Sequence, residues 1–121
     1  MTLTILVLHA CDEIREHTAE ALVGAGMTVR LAANGVEGLA DLRSVVPDAI
    51  ITGINMPGMD GFGFIEAVRR QDRLRGIPVL VMTRGATPEL RTRARNAGAA
   101  GWLVWPFDPA RLAETLRMVT A

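Results

Sequence analysis

Apolar residues fall along this chain in two alternating arrangements, short unbroken runs and sets spaced at helical intervals. Residues 3–8 (Leu-Thr-Ile-Leu-Val-Leu) form a nearly continuous apolar run, the pattern of a strand covered on both faces. Asp12 is placed to cap the helix that follows, with Ile14, Ala21, Leu22 and Ala25 on its inner side and Gly24 and Gly26 ending it. Val29 to Ala33 reads as a second strand. Asn34-Gly35 then turns into a helix predicted to carry Val36, Leu39, Leu42 and Val46 inward, stopped by Pro47-Asp48. A third strand spans Ala49 to Ile54. After its Gly- and Pro-containing loop, Asp60 caps a helix presenting Phe62, Ile65 and Val68. Arg69, Arg70, Arg73 and Arg75 crowd the end of that helix, where its dipole favours cations.

Pro78 opens a fourth strand, Val79 to Thr83, and Thr87-Pro88-Glu89 starts a helix with cap, N1 proline and first-turn acid together. Leu90, Ala94 and Ala97 give that helix a thin apolar face. Gly98 and Gly101 lead to a fifth strand, Trp102 to Trp105. Asp108-Pro109 then begins a last helix burying Leu112, Leu116 and Val119. Strands alternating with helices, without linker or low-complexity segment, predict an α/β fold with a parallel sheet covered on both faces. Loops at the carboxyl ends of the strands then converge on one site, at His9 to Cys11, Gly53, Thr83 to Arg84, and Trp105.

Composition narrows this picture. The chain has 121 residues, 50% hydrophobic and 21% charged, which suits one domain over residues 1–121 with a real core. No apolar run approaches a membrane span, and the first residues lack the basic region of a signal peptide, so a cytoplasmic protein with no membrane role is expected. The single cysteine, Cys11, excludes an intrachain disulfide and a Cys-based zinc framework. Formal net charge is zero, but residues 1–66 carry three Arg against nine acids and residues 67–121 ten Arg against four, so the halves stand at −6 and +6. Every basic side chain is Arg, and the chain has no Lys. It opens on Met1, as a native N-terminus would. It ends at the close of the last helix, as either a stand-alone regulator or a domain of a larger protein would.

The stretch Asn55-Met-Pro-Gly-Met-Asp-Gly61, together with Ile77-Pro-Val-Leu-Val-Met-Thr83 and Pro106-Phe107, resembles the two-component response-regulator receiver family, and the resemblance runs from Ile5 to Val119. It implies a flavodoxin-like (βα)5 domain, three layers deep, with strand order 2-1-3-4-5, and a cis bond before Pro106. In that family an aspartate at the end of the third strand accepts a phosphoryl group. Two acidic residues after the first strand help to hold Mg²⁺ through oxygen ligands. A Lys after the fifth strand and a hydroxyl after the fourth meet the phosphoryl group, and an aromatic on the fifth strand switches with it. Carried onto this chain, the acceptor falls on Gly53, the acidic pair on His9 and Ala10, and the Lys on Trp105. Only the hydroxyl, Thr83, and the switch aromatic, Trp102, remain. The resemblance therefore implies a degenerate pseudo-receiver, not an enzyme, with no metal and no cofactor. Trp105 is expected to fold over the vacated pocket and fill it, because an empty cavity costs stability.

Other readings stand beside these. His9, Cys11 and Asp12 form a weak metal-ligand set lacking the paired spacing of zinc sites, against His9 as a polar residue lining the pocket. Cys11 has no basic neighbour in sequence to activate it as a redox thiol, though Arg84 is placed to approach it. His17 pairs with Glu13 one helical turn away. Trp102, Trp105 and Phe107 gather three of the five aromatics into six residues. Arg84, Arg91, Arg95, Arg111 and Arg117, with Trp102, mark a candidate partner face on the fourth helix, fifth strand and fifth helix, against a merely solvated basic face. The expected function is a phosphorylation-independent protein-interaction module in bacterial signal transduction or transcriptional control. Its partner is a kinase, another regulator or a second copy in a homodimer, and no direct DNA binding by this domain is expected. The alternative is a receiver sensing a nucleotide of the cyclic di-GMP type through the Arg face, since guanidinium groups suit phosphates and bases.

Overall fold

The strand segments become β1 (Thr4–Leu8), β2 (Thr28–Ala32), β3 (Ala49–Thr52), β4 (Val79–Thr83) and β5 (Gly101–Val104) of a computed structural model that describes residues 2–121. They form one parallel sheet in the order β2-β1-β3-β4-β5, as the resemblance implied. The helices are α1 (Asp12–Gly24), α2 (Gly35–Asp41), α3 (Gly61–Arg69), α4 (Pro88–Ala97) and α5 (Pro109–Val119). Alternation of side chains along each strand divides the core in two. Leu6, Leu8, Ile50, Val79 and Val81 face α2, α3 and α4, while Ile5, Val7, Ile51, Leu80 and Met82 face α1 and α5. Among the described residues no helix is long and apolar enough to cross a membrane.

Helix starts follow the local chemistry. Asn34, Asp60, Thr87 and Asp108 each accept a backbone N–H of the first turn. Asp12 does not act as a cap: Cys11 takes that position, and Asp12 lies in the first turn, paired with Arg15 at 2.5 Å. The inward face of α2 also differs from expectation. Val36 and Val46 are 64% and 54% exposed, and the helix ends at Asp41. Its buried side is Gly35, Gly38, Leu39 and Leu42, at i, i+3, i+4 and i+7. A Cβ on Gly38 would stand 2.8 Å from the Leu8 side chain and 3.0 Å from the Phe64 ring, so α2 lies too close to the sheet for valine on that face.

The arginines closing α3 have partners that the helix dipole alone does not imply. Arg69 donates to the carbonyls of Gly98, Arg75 and Ile77 at 2.7 to 3.1 Å, joining α3, the approach to β4 and the C-cap of α4. Arg73 donates to the Leu42 carbonyl and so ties the α3–β4 loop to the end of α2. The Trp105–Pro106 bond is cis, as expected.

Candidate functional site

One more ladder hydrogen bond beyond the strand end fixes the residue that follows each of β1, β3 and β5. His9 N–H donates to Ala32, Gly53 N–H to Leu8, and Trp105 N–H to Thr83, at 3.2, 2.8 and 2.7 Å. On the far side, Gly61 N–H donates to the Ile54 carbonyl at 2.8 Å and closes the 54–60 loop. A Cβ at residue 61 would overlap the Gly53 carbonyl oxygen, so this close approach admits only glycine.

His9 dominates the cleft. Its Nδ1 accepts the Cys11 N–H at 3.1 Å, which leaves the ring proton of the neutral form on Nε2. The ring extends from β1 across β3: a Cβ built on Gly53 would sit 2.8 Å from His9 Cδ2 and 3.0 Å from Nε2. Burial lowers the His9 pKa; a hydrogen bond to the Met82 backbone opposes this, and the Arg15 and Arg84 charges add to the lowering. The imidazole is therefore held toward its neutral form. Arg15 lies close because it donates to the His9 carbonyl at 2.6 Å as well as to Asp12.

In front of this ring opens a cavity of about 540 Å³. Its apolar walls are Ile14, Ile54 and Leu90, and Asn55, Cys11 and Arg84 supply polar atoms. Thr83 donates its hydroxyl proton to the Gly85 carbonyl at 2.5 Å, which braces the loop carrying Arg84. Ala10 is exposed and adds no polar side chain. The metal reading of His9, Cys11 and Asp12 has no geometric basis, since His9 Nδ1 is bound to the Cys11 amide and Asp12 to Arg15. Among the described residues no three His, Cys, Asp or Glu side chains gather to hold a metal ion.

Trp105 does not fill this space, contrary to expectation. Its ring stacks at 5.5 Å on His17 and meets Phe107 edge-on at 5.3 Å, walling a second cavity between α1 and the start of α5. The volume above Gly53 is taken instead by His9, which starts nearer and carries a ring of suitable size. His17, read as a partner of Glu13, packs against Trp105. The three clustered aromatics are also divided by the sheet. Trp102 and Trp105 are an odd number of residues apart and point to opposite faces, Trp102 toward α4 and Trp105 toward α1 and α5.

The candidate partner face assembles only in part. The Arg91 guanidinium lies 5.7 Å above the Trp102 ring, and with Arg95 they line a groove of about 320 Å³ between α4 and β5. Arg93 points the other way, over Phe62 at 4.3 Å and toward Asp60. Arg84 belongs to the cleft with His9. Arg117 reaches the Ala25 carbonyl beyond α1, and Arg111 is exposed on α5 outside the groove. Trp102 Nε1 is shut off from solvent with no acceptor among the described residues. The sequence marks Asn55 only within the receiver-like stretch and Leu90 only on the apolar face of α4, and it gives no sign of Arg15; these residues meet the cavity or His9 only through the fold.

A parallel sheet in the order 2-1-3-4-5, with a polar cleft where the order reverses between β1 and β3, defines a flavodoxin-like doubly wound protein. The chain belongs to the response regulator receiver domain family, whose description matches residues 5–117. It is similar to the chemotaxis response regulator CheY4 of Vibrio cholerae, with 38% identity and a TM-score of 0.91 over 98% of this chain and 99% of that one. It is 37% identical over 97 residues to the DNA-binding transcriptional regulator NtrC of Salmonella typhimurium, covering 80% of this chain and 20% of that protein. It is also 32% identical over 115 residues to the sensor histidine kinase CheAY of Helicobacter pylori, covering 93% and 14%. The chain spans little more than half the length of one curated relative it matches and about a fifth of another. Receiver domains are signalling modules of two-component systems that interact with kinases and other regulators.

Proposed function

We propose that this receiver domain takes no phosphoryl group at the end of β3 and acts as a phosphorylation-independent interaction module in two-component signalling or transcriptional control. One observation carries the reading: residue 53 has no side chain, and the His9 ring occupies the space a side chain there would need. A carboxylate nucleophile has neither an atom nor room at that point. Of the acids that flank the cleft loops in sequence, Asp12 is engaged with Arg15 and Asp60 with the Gly63 amide. The domain spans residues 1–121 as one unit and docks through the groove of Arg91, Arg95 and Trp102. Its partner carries acidic side chains, whether it is a kinase, a regulator or a second copy of the chain. Two guanidinium groups one helical turn apart beside an indole face make an anchor of the kind that dominates binding energy at interfaces.

Amide NMR spectra with saturating Mg²⁺ and beryllofluoride test the first half. No localised response is expected, and shifts focused on Gly53 and Thr83 would sink the reading. Pull-down with wild type and with Arg91→Glu/Arg95→Glu tests the second half: the double variant should lose its partner, and equal recovery would count against the groove. A second reading, a cyclic dinucleotide on the same groove, is favoured by Arg91 and Arg95 beside Trp102, since guanidinium groups pair with phosphates and stack on bases. Titration with cyclic di-GMP, repeated with Arg91→Ala and Arg95→Ala, separates a nucleotide sensor from a protein-docking module.

A further inference from the structure

We infer that the cavity beside His9 binds a small organic anion without a metal ion, an oxyanion head held by Arg84 and an apolar body held by Ile14, Ile54 and Leu90. The inference rests on the preceding reading that this cleft no longer takes Mg²⁺ and a phosphoryl group. The position comes first. In open parallel sheets the loops leave toward opposite faces where the strand order reverses, opening a crevice outside the carboxyl ends of the strands; here that point lies between β1 and β3, beside His9. Size comes second. The cavity of about 540 Å³ is on the scale of pockets for small ligands, which run from roughly 300 to 1,000 Å³.

Charge is the third argument and fixes the class of ligand. No carboxylate lines the cavity, whereas Arg84 does, and among the described residues Arg84 makes no ion pair. Arg15 adds positive potential from just behind His9, with its own hydrogen bonds already committed. The His9 imidazole carries no negative charge in either protonation state and so does not oppose an anion. The Thr83–Gly85 hydrogen bond braces the loop that carries Arg84 at the cavity, and a guanidinium fork suits bidentate recognition of a carboxylate or phosphate. Three branched apolar walls then favour a ligand with a hydrocarbon or aromatic body over a bare inorganic ion. Carboxylates and phosphate esters share this chemistry, and the experiment separates them.

The test is amide NMR titration of the whole chain in EDTA with benzoate, phenyl phosphate, inorganic phosphate and benzamide. Benzoate, phenyl phosphate or both should give saturable shifts at Cys11, Ile54 and Gly85; which of them binds identifies the head group. Benzamide, the neutral isostere of benzoate, should give none, and inorganic phosphate should bind at least about tenfold more weakly, the loss of roughly two buried methylenes. Arg84→Gln, an exposed position whose spectrum should otherwise be native, should raise Kd at least about tenfold, the cost of one charge-assisted hydrogen bond. Arg91→Gln should change nothing. Absence of saturable shifts, equal binding by Arg84→Gln, equal binding of benzamide or of inorganic phosphate, or shifts confined to the Arg91–Trp102 groove would each overturn the inference. A parallel sample with Mg²⁺ and beryllofluoride keeps the two readings apart. A response at Gly53 there overturns the phosphorylation-independent reading, whereas silence there together with silent anions overturns the anion site alone.

Discussion

His9 stands one residue beyond β1, and its ring fills the volume any side chain at residue 53 would need. Two measurements probe that contact. Gly53→Ala should destabilise the fold by about 1–3 kcal/mol through overpacking, read from urea midpoints. In a His9→Ala background the same change should cost markedly less, because the ring it meets is gone. Additive costs in this double-mutant cycle would show that the two residues do not compete for space. Protonation is the second probe. The folded-state pKa of His9 lies below the ordinary imidazole value of about 6.5, so between them the unfolded chain binds more protons and stability rises with pH. Stability is therefore expected to fall as pH drops from about 7 through 6, as the Cys11 N–H loses its acceptor. His9→Asn should flatten that window. The Arg30–Asp41 pair acts elsewhere on the scale. Asp41 is depressed by its hydrogen bonds to Arg30, and its contribution is lost only as pH falls below about 4.

Helices and strands in this molecule are positioned by small contacts as much as by apolar faces. α2 approaches β1 through Gly38 and the 54–60 loop through Gly35, which is why the valines that periodicity placed inward stand in solvent. α3, the approach to β4 and the C-cap of α4 are joined by one guanidinium, Arg69, whose desolvation lowers its pKa without an acidic partner. Arg69→Ala should cost about 2–3 kcal/mol in urea unfolding, with three carbonyls losing a charged donor. Arg70→Ala, which removes only an exposed 3.7 Å pair with Glu66, should cost less than about 0.5 kcal/mol. Equal costs would show that the Arg69 hydrogen bonds add nothing net.

The whole molecule is polarised, at −6 in residues 1–66 and +6 in residues 67–121. An acidic partner arriving at Arg91 and Arg95 meets the positive half, and such long-range attraction is screened over a Debye length of about 10 Å at 0.1 M salt. Partner affinity should therefore fall as salt is raised from about 0.05 to 0.3 M, mainly through slower association in surface plasmon resonance. Affinity indifferent to salt would argue against docking on the basic face.

Read alone, the sequence determined the fold class, the order of strands and helices, the Asn34, Asp60, Thr87 and Asp108 starts, and the glycine at residue 53. These depend on interactions within a few residues or on periodicity, which the linear order carries. The tertiary structure alone decided that His9 and not Trp105 covers Gly53, and that Trp102 and Trp105 part to opposite faces. It also decided that Arg84 joins the cleft while Arg91 and Arg95 form a groove with Trp102. Strand register and helix approach set those outcomes, through distances between residues tens of positions apart. A carbonyl that accepts from Arg69, or a glycine that lets α2 close on β1, leaves no mark in hydropathy. The acids, bases and rings were legible as an inventory, and only packing assigned them to sites.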